Sequence, residues 1–122
     1  MTRILFIDHD AVQSADRALY RDLSTGGDFD VTLVVPQGWF DHGTVRECEN
    51  EETPLRVKAL PVLFAGRPHR VVYRGLRRLL REMRPEIVVA NAEPENFLAL
   101  QTLLACACSR TKPRIVLTSW RN

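Results

Sequence analysis

The stretch IVVANAEPENFLALQTLLACACSRTKPRIVLT, residues 87–118, holds a short apolar run, a polar junction, a leucine- and alanine-rich segment of helical length, a Lys-Pro turn and a second β-branched run. Two short apolar runs on either side of a helix-length segment predict a strand, a crossover helix and a second strand paired in parallel with the first. The expected elements are a strand over residues 87–90, a helix over 94–108 and a strand over 114–118. Buried parallel strands are apolar on both faces, which is how both runs read.

The same alternation continues toward the N-terminus. Residues 3–8, RILFID, form an apolar run that ends in acid, and Val12, Ala15, Leu19 and Leu23 then recur at helical spacing until Gly26 and Gly27. Residues 31–35, VTLVV, are a second strand closed by Pro36. A polar stretch, 37–54, carries Glu47, Glu49, Glu51 and Glu52 and reads as one long loop, a length that is functional or mobile in most folds. Residues 55–64 predict a third strand broken or bent at Pro61. In residues 69–83, Val72, Leu76, Leu79, Leu80 and Met83 repeat on one helical face, and Pro85 stops the pattern. Five strands alternating with three helices predict a three-layer, Rossmann-like α/β sandwich with strand order 3-2-1-4-5.

That order reverses direction at the first strand and opens a crevice between the carboxyl ends of strands 1 and 4, where ligands of such folds bind. The groups expected to line it are Asp8, His9, Asp10 and Gln13 after strand 1, Trp39 after strand 2, Asn91 and Glu93 after strand 4, and Trp120 and Asn122 after strand 5. In the junction NAEPENF, Pro94 suits the first position of a helix, and Glu93 and Glu95 suit the positive end of its dipole. A carboxylate beside an amide, Glu93 with Asn91, also suits directional binding of ligand hydroxyls. His9 between two acids is a candidate general base, set against its role as a polar loop residue at a strand end. Trp39 is read either as a platform for a sugar face or as an anchor that packs its loop into the core.

Composition narrows the class. The chain has 122 residues, 45% hydrophobic and 26% charged with a formal net charge of +2, enough for a single core and outside the disordered and collagen-like classes. The opening MTRILFIDHD has too short an apolar run for a membrane span or a signal peptide and is expected to be a strand. Cys48, Cys106 and Cys108 predict free thiols in a reducing cytoplasm. Cys106 and Cys108 lie two apart on a helix and point in different directions, so no metal site is expected.

The basic residues are unevenly placed. Arg67, Arg70, Arg74, Arg77, Arg78, Arg81 and Arg84 are seven of the 17 Lys and Arg. Arg70, Arg74, Arg77, Arg81 and Arg84 fall at spacings of three and four, predicting one positive stripe on the second helix. Such a stripe is a solvated face or a contact for anionic lipid headgroups. Nucleic acid is not an expected partner, because neither interleaved aromatics nor a nucleic-acid motif accompanies the arginines.

Three stretches carry a family resemblance. EPENFLALQTLLACACSRTKPRIVLTSWRN, residues 93–122, resembles the Glu-Pro, helix, strand, Trp-x-Asn segment in the N-terminal domain of GT-B glycosyltransferases, specifically a bacterial subgroup of glycosyltransferase family 4. RILFIDHD resembles that family's first strand and loop, and FDVTLVVPQGW its second strand followed by Pro and Trp. The resemblance spans nearly the whole chain. It implies a domain that binds a sugar or lipid-linked acceptor at the crevice, while a second, C-terminal domain holds a nucleotide-sugar donor, and it implies transfer with retention. The second domain is not in these residues, so the chain is expected to be truncated at or just after its fifth strand. Alone it is expected to be inactive, with no cofactor of its own, and to carry an exposed edge or apolar surface suited to dimerisation. The implied setting is cytoplasmic, with peripheral contact at the inner face of the membrane.

The chain departs from the family at two places. HDAVQSADR stands where many members have a Gly-rich turn after strand 1, and TSWRN stands where many have a His after strand 5. Two alternatives are a non-catalytic binding module of the same fold and a degenerate receiver domain. A receiver needs an Asp at the end of strand 3 and a Lys after strand 5, and LPVLFAG and TSWRN supply neither. A dinucleotide-binding domain needs G-x-G-x-x-G after strand 1, which is also missing.

Overall fold

A computed structural model describes residues 2–41, 43–51 and 55–118. The first strand, β1 (Thr2–Ile7), leads through two short 3-10 turns, His9–Ala11 and Ser14–Arg17, into α1 (Ala18–Thr25). The chain then forms β2 (Phe29–Pro36), the strands β3 (Gly38–Asp41) and β4 (Thr44–Glu47), β5 (Arg56–Leu60), and the short β6 (Val62–Leu63) and β7 (Val72–Tyr73). It ends with α2 (Leu76–Met83), β8 (Ile87–Asn91), α3 (Phe97–Ala107) and β9 (Arg114–Thr118).

Five strands form a parallel sheet in the order β5-β2-β1-β8-β9, which is the 3-2-1-4-5 arrangement expected from the sequence. Registers such as Ile4 with Val31 and Ile87, and Val89 with Val116, fix the central strands. Period-two alternation then splits the core between the two faces. Leu5, Ile7, Val34, Val88 and Ala90 face α2 and α3, packing with Leu76, Leu80, Leu98 and Cys106. Val31, Leu33 and Val35 face the other way and meet Ala11, Leu55, Tyr20 and Leu23. The result is a three-layer α/β sandwich. Among the described residues no helix is long and apolar enough to cross a membrane.

Four expectations need correction. The first is the polar stretch after β2, which is not one loop. β3 and β4 pair antiparallel as a hairpin, with Trp39 opposite Arg46 and Phe40 opposite Val45, and Gly43 at φ +79° lies in the turn between them. The second is the first helix, whose expected stripe is buried only at Val12 and in part at Leu23, while Ala15 and Leu19 are exposed. The 3-10 turns change the phase, so Leu19 is 62% exposed and Arg17 is fully buried.

The third correction concerns the second helix, which begins at Leu76 instead of His69. Val72 and Tyr73 pair with Leu63 and Val62 as a small antiparallel ribbon, and Gly75, at φ +81°, turns the chain into α2. Pro61 still breaks β5 as expected, and β6 leaves the main sheet to make this ribbon. Arg70 and Arg74 therefore lie in turns, Arg77 and Arg81 lie on α2, and Arg84 is its C-cap at φ +47°. The five are exposed but do not form one helical stripe.

Fourth, Pro94 does not open the last helix. Residues 93–96 form a turn closed by the Asn96 N–H donating to the Glu93 carbonyl at 3.0 Å, and α3 starts at Phe97. Proline's fixed φ suits the second position of such a turn as well as it suits a helix start. Along α3, Leu98, Thr102 and Ala105 are buried, whereas Phe97, Leu100, Leu103 and Leu104 are exposed, so an apolar face points outward. Val116 on β9 is exposed as well.

Candidate functional site

The site begins with the end of β1. Asp8 leaves the strand in an extended conformation, and its Oδ1 accepts the Asp10 N–H at 2.9 Å, which caps the turn His9–Ala11. From the end of β8, Asn91 Nδ2 donates to Asp8 Oδ1 at 2.8 Å and to Asp10 Oδ2 at 3.1 Å. Residues 83 apart in sequence are thereby joined across the crevice between β1 and β8. Asp8 Oδ2 accepts the Tyr20 hydroxyl at 2.6 Å. Burial, the Asp8 charge and that hydrogen bond all raise the Tyr20 phenol, so it stays a neutral donor. Asp8 is thus occupied in organising the crevice, and Asp10, largely exposed, is the carboxylate presented to solvent.

His9 points back into the protein. It is 8% exposed and stacks on Trp39 with ring centroids 4.6 Å apart at 28°. Its Nε2 lies 3.4 Å from Asp10 Oδ1, while Nδ1 is buried with no hydrogen-bond partner among the described residues. Of the two readings of Trp39, the anchor holds. The ring is 8% exposed within the core, and His9 covers a face, so it serves as a wall that orients the imidazole.

Beside this pair lies a cleft of about 380 Å³ lined by His9, Asp10, Gln13, Trp39 and Arg46. Gln13 Oε1 accepts from Arg46 Nη1 at 2.8 Å, joining the loop after β1 to the hairpin. Gly66, at φ +89°, closes the cleft from the loop after β6, and a side chain there would collide with the Phe40 carbonyl. Asp8, His9, Asp10, Gln13, Trp39 and Asn91 are brought together as the sequence suggested. Glu93 lies half-buried two residues beyond β8. Trp120 and Asn122 lie outside the described residues.

Sequence reasoning missed what fastens this edge. Arg17, fully buried, donates from Nε to the Ala11 carbonyl at 2.8 Å and from Nη2 to the Val12 carbonyl at 2.7 Å. Its Nη1 reaches Glu51 at 3.2 Å, and Arg21 pairs with the same carboxylate and with Ser14 Oγ. Bonded mainly to Arg21 and then to Arg17, Glu51 falls from the ordinary 4.5 to about 2. The network ties residues 49–51 to the turns that carry Asp8 to Gln13, aided by the Glu49 N–H donating to the Val12 carbonyl at 3.0 Å. Neither Arg17 nor Tyr20 lies on the apolar repeat of the helix, so spacing gives no signal for either.

The arrangement can bind hydroxyl-rich ligands, because Asp10 and Asn91 offer an acceptor and an amide at a cleft mouth with an imidazole behind them. Among the described residues no group of three or more His, Cys, Asp or Glu is placed to hold a metal ion. Comparison with protein-family models, with curated proteins and with solved structures finds no match.

Proposed function

We propose that this chain is the acceptor-side domain of a glycosyltransferase, working with a donor domain that binds a nucleotide sugar and transferring the sugar with retention. The supporting observation is the Asp8, Asp10 and Asn91 set at the switch point between β1 and β8, next to a cleft large enough for a sugar ring. The resemblance of residues 93–122 to family 4 enzymes points the same way. In this reading Asp10 and Asn91 receive acceptor hydroxyls, Asp8 holds Asn91 and the Asp10 turn in place while bonded to Tyr20, and His9 exchanges protons through the nitrogen beside Asp10. Glycosyl transfer requires donor and acceptor to be held together, so in this reading catalysis needs the donor domain as well as this one. A lipid-linked acceptor would bring the domain to the inner face of the membrane, with the exposed arginines near anionic headgroups.

Saturation-transfer NMR with a panel of methyl hexopyranosides tests the reading. The expected result is transfer to the ring protons of at least one sugar, reduced about tenfold in affinity by Asp10→Asn combined with Asn91→Ala, as loss of hydrogen bonds to a charged group implies. Absence of transfer to every sugar, with the protein folded, would overturn it.

A further inference from the structure

A second cleft, larger than the one beside His9, is at the other end of the molecule. Its volume is about 630 Å³, and Arg77, Arg81, Arg84, Arg110, Ser109 and Thr111 line it over a floor of Leu80 and Ala105. α2 supplies Arg77 and Arg81 one turn apart, its left-handed C-cap supplies Arg84, and the segment after α3 supplies Arg110. Nearby, the Glu86 N–H bonds to the Arg3 carbonyl and the Arg114 N–H to the Glu86 carbonyl, which places the cleft at the amino edge of the sheet. The Asp8 and Asn91 crevice is at the carboxyl edge.

Among the described residues no carboxylate lines this cleft, and none pairs with Arg77, Arg81, Arg84 or Arg110. Glu82, the acid on α2, is engaged by Arg78 at 3.0 Å. The C-termini of α2 and α3 offset part of the charge, each by at most about half an elementary charge. In the last turn of each helix some carbonyls are already satisfied, as the Arg84 N–H donates to the Leu80 carbonyl, the Cys108 N–H to Leu104 and the Ser109 N–H to Cys106. A surplus of positive charge therefore remains around a concave surface. Guanidinium forks match phosphate oxygens bidentately, and the Ser109 and Thr111 hydroxyls, hydrogen-bonded to each other at 3.1 Å, leave one O–H to donate to the same group.

We infer that this cleft binds a phosphate-bearing anion carrying at least two negative charges, either a small soluble diphosphate or a phosphorylated lipid headgroup. Phosphate binding here uses no residue of the Asp8 and Asn91 crevice and stands without the glycosyltransferase reading, although a headgroup in this cleft would share Arg77, Arg81 and Arg84 with the membrane contact of that reading.

Titration calorimetry with inorganic pyrophosphate at low ionic strength is the test, using the wild-type chain, the Arg81→Gln/Arg110→Gln pair and a control pair, Lys58→Gln/Arg67→Gln. The control removes the same charge from exposed positions on β5 and the loop after β6. The expected result is binding by the wild type, weakened roughly tenfold or more in the cleft pair through loss of charged hydrogen bonds. In the control pair it stays within about twofold, as screened distant charges should. Pyrophosphate should also slow alkylation of Cys108, which lines the cleft, by iodoacetamide while leaving Cys48 unaffected. Flotation with vesicles containing phosphatidate, whose phosphomonoester headgroup carries close to two negative charges, then separates the sources. Recruitment that pyrophosphate reverses identifies a headgroup, and absence of recruitment identifies a soluble phosphate. No pyrophosphate binding by the wild type, or equal weakening in the two pairs, overturns the inference.

Discussion

The two ends of the sheet use charge in opposite ways. At the carboxyl edge, acids and arginines are matched within the protein: Asp8 is bonded by Asn91 and Tyr20, and Glu51 by Arg17 and Arg21. At the amino edge, Arg77, Arg81, Arg84 and Arg110 surround a cleft that no acid lines among the described residues. A matched network holds groups still, whereas an unmatched cluster of like charges stores repulsion until a counter-ion arrives. The first arrangement suits a preorganised binding edge, and the second suits a receptor for an anion.

The sharpest way to break the comparison is to unmatch the carboxyl edge. Glu51→Gln leaves the buried Arg17 guanidinium without its carboxylate, and a loss of roughly 3 kcal/mol is expected in urea unfolding, as for other broken buried pairs. The same pair sets an acid limb. Because Glu51 is lowered in the folded chain to about 2, its contribution is complete above the ordinary value of 4.5 and disappears as pH falls toward 2. The wild type should lose stability across that window, and Glu51→Gln should remove this component from the stability curve. A variant as acid-sensitive as the wild type would assign the limb to other carboxylates.

A smaller effect comes from the hairpin. Gly66→Ala forces a side chain against the Phe40 carbonyl at a positive φ, and about 2 kcal/mol should be lost in thermal unfolding. Sugar binding should fall with it, since Gly66 and Trp39 line the same cleft. The smallest effect has the opposite sign. Arg81→Gln relieves repulsion from Arg77 and should stabilise the chain by about 0.3 kcal/mol at low salt and by nothing measurable at high salt. Destabilisation by this substitution would show that Arg81 is matched after all.

The sheet was legible in the sequence because parallel strands are buried on both faces and read as short apolar runs, as in ILFI and IVVA. The members of the crevice were legible for a related reason, since strand order alone assigns Asp8 and Asn91 to neighbouring carboxyl ends. The second helix misled because Val72 lies four residues before Leu76 and so fits the helical face, although Gly75 separates them in a left-handed turn. The hairpin was hidden by the acids of its surroundings, and Arg17 by its type, as fully buried arginine is rare without a local partner to suggest it. Here the partner, Glu51, is 34 residues away.

The position of β1 also governs the order in which the chain can mature during synthesis. Its neighbour β2 follows within a few dozen residues, but the strand that covers its other side, β8, is made only after residue 86. Until then the nascent chain presents one open edge of its most central strand, together with a crevice that has Asp8 and lacks Asn91. The central strand is made first and enclosed late, so the interval before β8 emerges from the ribosome is when this chain is most exposed to mispairing.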